Sequence, residues 1–209
     1  MNIKRYSRLC MLLFAATVML TSCHSRKALM KGDEIAKAQQ NSGAREDVLK
    51  GQPGEIVKPQ ASIADKYAEL MAVDKRDIQN GRLYSFIDQW MGVPYKFGGL
   101  DKEGIDCSGL SVLLEQEVYG ITIPRTCSQQ VTVIKRKYEE ELKEGDLVFF
   151  DFDGKQFSHV GVYLQNGYVV HASSTKGVMI INLHSPSMYK YFSRGGSINF
   201  PVAATESGF

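Results

Sequence analysis

Cys107, His159 and His171 are the residues of this 209-residue chain whose types and neighbours suit nucleophilic catalysis. Cys107 lies in Gly-Ile-Asp-Cys-Ser-Gly-Leu-Ser, where Asp106 is a good helix N-cap. The residues after it read as an amphipathic helix, with Leu110, Leu113 and Leu114 on one face and Gly120 as its stop. A cysteine in the first turn of a helix meets unpaired N–H groups and the positive end of the dipole, which favour thiolate over thiol. Gly98, Gly99 and Gly104 let the backbone bend close to the sulfur. His159 would take the Cys107 proton to give a thiolate–imidazolium pair, and would later protonate a leaving amine. His171 would fix the orientation and tautomer of that ring, as the third member of a triad does. The backbone N–H of Cys107 is the expected oxyanion donor, and the Tyr95 hydroxyl a second candidate.

For His159 and His171 to cooperate, they must lie on one face of a sheet. A two-residue Asn166-Gly167 turn would pair 165 with 168 and put the rings on opposite faces. A three-residue loop, Gln165-Asn166-Gly167 with Gly167 left-handed, pairs 164 with 168 instead. That register sets Gly161 opposite His171 and makes the two imidazoles diagonal neighbours on one face. The other face then collects Val160, Val162, Leu164, Tyr168, Val170 and Ala172, which reads as core. The three-residue loop is the expectation.

Other chemistries use the same residues. In an exported chain Cys107 and Cys127 could pair as a disulfide. Otherwise Cys127 packs as a small hydrophobe near the site. Cys, His and His could ligate zinc, but a structural zinc site takes four ligands and no CxxC or HxxxH spacing is present, so no metal is expected. His24 and His184 have no partner pattern and read as structural or exposed.

The elements that must hold these residues fall into two halves. Leu83, Phe86, Ile87 and Trp90 form an amphipathic helix that Gly92-Val93-Pro94 ends. The Cys107 helix follows, then a short helical segment around Ser128 to Lys137 opened by Pro124-Arg125-Thr126. Beyond Gly145 the period becomes that of strands: 146–151, 159–164, 168–172, 178–183 and 197–200. Their short spacings suit an antiparallel meander. The expected class is α+β: a helical half, with the nucleophile at a helix N-terminus, packed on an antiparallel five-stranded sheet, the layout of papain-like enzymes.

Ahead of this domain the chain carries an address. Lys4, Arg5 and Arg8 precede the apolar run Leu9–Leu20, which is short for a membrane span and suits a signal peptide over 1–22. Leu20-Thr21-Ser22-Cys23 resembles a bacterial lipobox, so Cys23 is the expected lipidation site and a lipid there would hold the protein on a membrane surface. Residues 24 to 61 carry no aromatic residue and read as a flexible tether from Cys23. Ile63, Tyr67, Leu70 and Met71 mark a helical extension over 62–80, and the compact domain is expected over 81–201. Loss of Lys4, Arg5 and Arg8 turns the formal charge of +2 into −1, which argues against a dedicated nucleic-acid binder.

Six segments carry a family resemblance: Gly-Val-Pro-Tyr-Lys-Phe-Gly-Gly, Asp-Cys-Ser-Gly-Leu, Pro-Arg-Thr-Cys-Ser-Gln-Gln, Gly-Asp-Leu-Val-Phe-Phe, His-Val-Gly-Val-Tyr-Leu and His-Ala-Ser, in that order. Over residues 82 to 200 the chain resembles the NlpC-type cell-wall cysteine peptidases. The resemblance implies a Cys107–His159–His171 triad with Tyr95 as the active-site tyrosine. It implies a D,L-endopeptidase acting on peptidoglycan stem peptides, at the bond between γ-D-glutamate and diaminopimelate or lysine, with no cofactor. Asp106 and Ser108 match positions lining a substrate subsite, and Arg125 and Gln130 match a motif near the cleft. Cys127 departs from the family, which often has serine there. SH3-like domains precede many such peptidases, and residues 24 to 80 look too short and strand-poor for one. The expected setting is the bacterial envelope, on the periplasmic face of the outer membrane, in wall remodelling or muropeptide recycling. An amidase or acyl transferase on the same scaffold, or a non-catalytic wall-binding lipoprotein, are the alternatives.

Overall fold

The structure, a computed structural model, describes residues 53–199. The signal peptide over 1–22, the lipidation site Cys23, the tether as far as residue 52 and the domain's expected end at Pro201 lie outside the described residues.

The helical half starts with α1 (Ala61–Met71) and α2 (Gly81–Trp90). Asn80 caps α2 by accepting from the Leu83 N–H at 3.1 Å. Ile63, Tyr67 and Met71 of α1 are buried in one core with Leu83, Phe86 and Ile87 of α2. The compact unit therefore begins before Gly81. Residues just ahead of α1 are also tied down: the Gly54 N–H reaches the Val118 carbonyl at 2.9 Å, and the Gly81 N–H reaches that of Val57 at 2.7 Å. The expected tether to residue 61 thus ends earlier, because its last residues have backbone partners on the domain.

A short ribbon of β1 (Leu100–Asp101) and β2 (Gly104–Ile105) leads into α3 (Cys107–Leu114). One π-helical turn, Glu115–Tyr119, continues α3, and Gly120 stops it with φ +72°. The helical segment expected from Ser128 to Lys137 is shorter: α4 is Cys127–Gln130, a 3₁₀ turn covers Val131–Val133, and Ile134–Lys137 is strand β3.

The sheet has six strands rather than the expected five, because β3 adds an edge. The others are β4 (Leu147–Phe150), β5 (His159–Tyr163), β6 (Tyr168–Ser173), β7 (Gly177–Asn182) and β8 (Phe192–Ile198), and the short helix α5 (Pro186–Tyr189) joins the last two. Their order is β3-β8-β4-β5-β6-β7, antiparallel throughout. β8 begins at Phe192, five residues earlier than its expected start at Ser197.

The β5–β6 hairpin has the three-residue loop. Val162 pairs with Val170 and Tyr163 with Val169, the Leu164 N–H reaches the Tyr168 carbonyl at 2.8 Å, and Gly167 has φ +77°. Val160, Val162, Leu164, Val170 and Ala172 line the core that Leu110 and Leu114 of α3 enter. Burial of these side chains, worth about 1.5–3 kcal/mol each, clamps α3 to the sheet.

Candidate active site

Asp106 builds the start of α3. Its Oδ1 accepts from the Gly109 N–H at 2.7 Å, the N-cap bond. Its Oδ2 accepts from the Gly98 N–H at 2.7 Å, which ties the turn after Tyr95 to the helix start. Arg125 closes on both oxygens, Nη1 on Oδ1 and Nη2 on Oδ2, each at 2.8 Å. Burial would raise the Asp106 carboxyl, but the bonds from Arg125, Gly109 and Gly98 hold it below its usual value.

Cys107 is therefore in the first turn of α3, 6% exposed. First-turn N–H groups have no i−4 carbonyl; Asp106 takes that of Gly109 and leaves those of Cys107 and Ser108 for an incoming oxygen. Tyr95 is placed by backbone pairing on the residues that lead into the helix: the Lys96 N–H reaches the Ile105 carbonyl at 3.2 Å, and the Ile105 N–H that of Pro94 at 3.0 Å. Burial, then the neighbouring Cys107 and Asp106, raise the Tyr95 phenol, which keeps its proton to donate.

His159 is the first residue of β5, at the end of the sheet that meets the start of α3. Its Nε2 lies 2.7 Å from His171 Nδ1, and the rings cross nearly edge to face at 82°. Gly161 makes this possible, since a Cβ there would come within 3.2 Å of the His171 Cβ. Burial, then the nearby His159, push His171 down to about 3, so it is neutral at working pH. When His159 is an imidazolium, His171 Nδ1 accepts its Nε2–H, and the His171 proton sits on Nε2.

The Cys107 thiol is held far below its usual range. The hydrogen bond with Cys127 contributes most; burial opposes; a hydrogen bond and charge from His159 and the Val160 backbone N–H add to the lowering. The two sulfurs are 3.6 Å apart and both cysteines are free, so the disulfide alternative does not describe this state. Cys127 packs against the core near the site, as expected, and its sulfur also touches that of Cys107.

A cleft of about 540 Å³ opens over the sulfur, walled by Tyr95, Phe97, Arg125, Cys127, Lys155 and Phe157. Phe97 is 91% exposed on its rim. The loop carrying Lys155 is fixed by the Phe157 N–H on Asp151 Oδ1 at 2.7 Å, with Phe157 in the left-handed region at φ +50°. Sequence reasoning missed Lys155 and Phe157, which belong to no motif.

The four candidate substrate contacts fare differently. Ser108 and Arg125 face the cleft. Asp106 lines its floor, but bonds from Gly109, Gly98 and Arg125 already occupy its two oxygens. Gln130 is fully buried and donates from Nε2 to the carbonyls of Ser108 and Pro124 at 3.0 and 2.8 Å. It braces the cleft from behind and cannot touch a substrate; the inward face of α4 is the reason. Among the described residues no group of three or more His, Cys, Asp and Glu side chains is placed to hold a metal.

Residues 92–196 match the NlpC/P60 family. The chain is 40% identical over 112 residues to the probable endopeptidase NlpC homolog of Haemophilus influenzae, an alignment covering 54% of this chain and 57% of that one. It is 36% identical over 116 residues to the murein DD-endopeptidase MepS/murein LD-carboxypeptidase of Escherichia coli K12, covering 56% and 61%. The matched region is thus under two thirds of either relative. The crystal structure of an NlpC/P60 family protein from Bacillus cereus superposes with a TM-score of 0.51 at 25% identity, over 69% of this chain and 42% of that one.

Proposed function

Since this chain belongs to the NlpC/P60 family, we propose that it is a cysteine endopeptidase of peptidoglycan, with Cys107 as nucleophile, His159 as base and acid, and His171 as orienter. The observation that carries this reading is the 2.7 Å contact between the two imidazoles behind a cysteine that opens a helix. The Cys107 thiolate adds to the scissile carbonyl, and the oxygen takes negative charge beside the Cys107 N–H and the Tyr95 hydroxyl. His159 passes its proton to the leaving amine, then draws one from water, which frees the acyl group as a carboxylate.

The substrate is a stem peptide, cut at the γ-D-glutamyl–diaminopimelate or –lysine bond. Stem peptides are acidic, and the cleft sets two cations, Arg125 and Lys155, against the single acid Asp106. Ser108 and Arg125 are the proposed substrate contacts. The name of the Escherichia coli relative favours a second reading, cleavage between two D-centres of a crosslink. Lipid on Cys23 would place the enzyme on the periplasmic face of the outer membrane.

Digestion of purified peptidoglycan, with mass spectrometry of the products, tests the assignment. Full-length protein should generate new diaminopimelate or lysine amino termini, and Cys107→Ala should generate none. New D-alanyl carboxyl termini from crosslinked dimers would select the second reading. Release at a sugar–peptide amide would make the enzyme an amidase.

A further inference from the structure

A second thiol lies beside the nucleophile, and the catalytic steps above leave it unused. Cys127 Sγ lies 3.6 Å from Cys107 Sγ, a hydrogen-bond distance for sulfur. The two residues come from different elements, α3 and α4, whose arrangement is fixed by Gln130 bonding the Ser108 carbonyl and by Arg125 gripping Asp106. The contact is therefore held by the scaffold.

We propose that Cys127 is a positioning residue of the reaction: its S–H donates a hydrogen bond to the Cys107 thiolate and keeps that sulfur ionised beside His159. This rests on the assignment of Cys107 as nucleophile. A thiolate 6% exposed has lost most of its water and needs donors in exchange. His159, the Val160 N–H and Cys127 supply them. Of these, His159 also transfers protons during turnover, whereas the other two serve only to hold the free thiolate.

The direction of the bond follows from the surroundings. His159 and the Val160 N–H serve Cys107, whereas Cys127 has only a hydrogen bond with Ser108 besides the sulfur itself. Negative charge settles on Cys107, and the adjoining charge and burial keep Cys127 protonated. The other titratable groups near the pair do not reverse this. Arg125 is neutralised by Asp106, Tyr95 keeps its proton, and His171 is neutral behind His159. Lys155 lines the same cleft and favours a thiolate in either position.

The test is the pH dependence of iodoacetamide alkylation at Cys107 in the full chain, read by peptide mass spectrometry, in wild type, Cys127→Ala and Cys127→Ser. In wild type the rate should persist well below pH 8. Cys127→Ala removes the donor and should move the acid limb up by about one pH unit, a roughly threefold net loss of rate at pH values below the wild-type midpoint. Its plateau at high pH should rise about threefold, because a less stabilised thiolate is the better nucleophile. Cys127→Ser keeps a donor and should return most of the limb. Misfolding would instead send the limb all the way to the position of an ordinary cysteine, and thermal unfolding of each variant identifies it. A Cys127→Ala profile lying on the wild-type curve, or a Cys127→Ser profile displaced as far as that of Cys127→Ala, overturns the proposal while Cys107 remains the nucleophile. A wild-type limb at the position of ordinary cysteine overturns both.

Discussion

Gly161 is the residue that lets two histidines become a pair. A Cβ at that position would lie 2.8 Å from the Val170 carbonyl oxygen and 3.2 Å from the His171 Cβ. Gly161→Ala should therefore displace the His171 ring and cost about 1–3 kcal/mol of stability. Turnover should fall at least tenfold with a smaller change in KM, because orientation of the imidazole matters in the transition state. Denaturant unfolding and steady-state kinetics on a defined muropeptide check both parts. Asp106 gives a prediction about substrate. Its oxygens are filled by two backbone N–H groups and a bidentate arginine, so a peptide ammonium finds no free carboxylate on the cleft floor. Stem peptides with a free and with an acetylated N-terminal alanine should be cut with kcat/KM values within about threefold. A hundredfold preference for the free amine would mean that Arg125 releases Asp106 to the substrate.

At the scale of elements, the hairpin that aligns the histidines was legible because its signals are local. Gly167 supplies the positive φ, and alternation along Val160–Leu164 and Tyr168–Ala172 names the buried face. Strand β3 was illegible for the opposite reason. Ile134-Lys135-Arg136-Lys137 has no alternation of its own; it becomes a strand because β8 presents Gly195 and Gly196 to it, and such long-range pairing leaves no mark in a short window. The same glycines hide β8, whose strand character is lent by β3 and β4 on either side. The contact between Cys107 and Cys127 depends on how α4 docks on α3, which no spacing encodes.

The π turn after α3 carries its own prediction. Glu115 is 1% exposed with Oε1 unpartnered, and burial, then nearby Asp146, raise its carboxyl to about 8. The folded state holds a proton there that the unfolded chain releases near pH 4.5, so stability falls as pH rises between those values and levels off above about 8. Glu115→Gln should stabilise the protein by roughly 2–4 kcal/mol at pH 8 and by little at pH 4. Thermal unfolding at the two pH values reads the difference directly.

For the whole molecule, the boundary expected at Gly81 cuts through a core. Tyr67 and Met71 are fully buried against residues of α2, and losing such side chains costs about 2–5 kcal/mol each, comparable with the stability of an entire domain. A chain beginning at Pro53 should unfold cooperatively, whereas one beginning at Gly81 should lack a cooperative thermal transition.

The bond from the Gly54 N–H to the Val118 carbonyl fixes where the described chain enters the domain. Val118 belongs to the last turn of the rod that Cys107 begins, about 15–18 Å away along its axis. At Gly54 the described chain therefore meets the domain at the end of that rod remote from the Cys107 sulfur. Between Cys23 and Pro53 there is chain for a span of at most about 100 Å. Under the proposed lipidation of Cys23, that length bounds how far from a membrane the cleft could work.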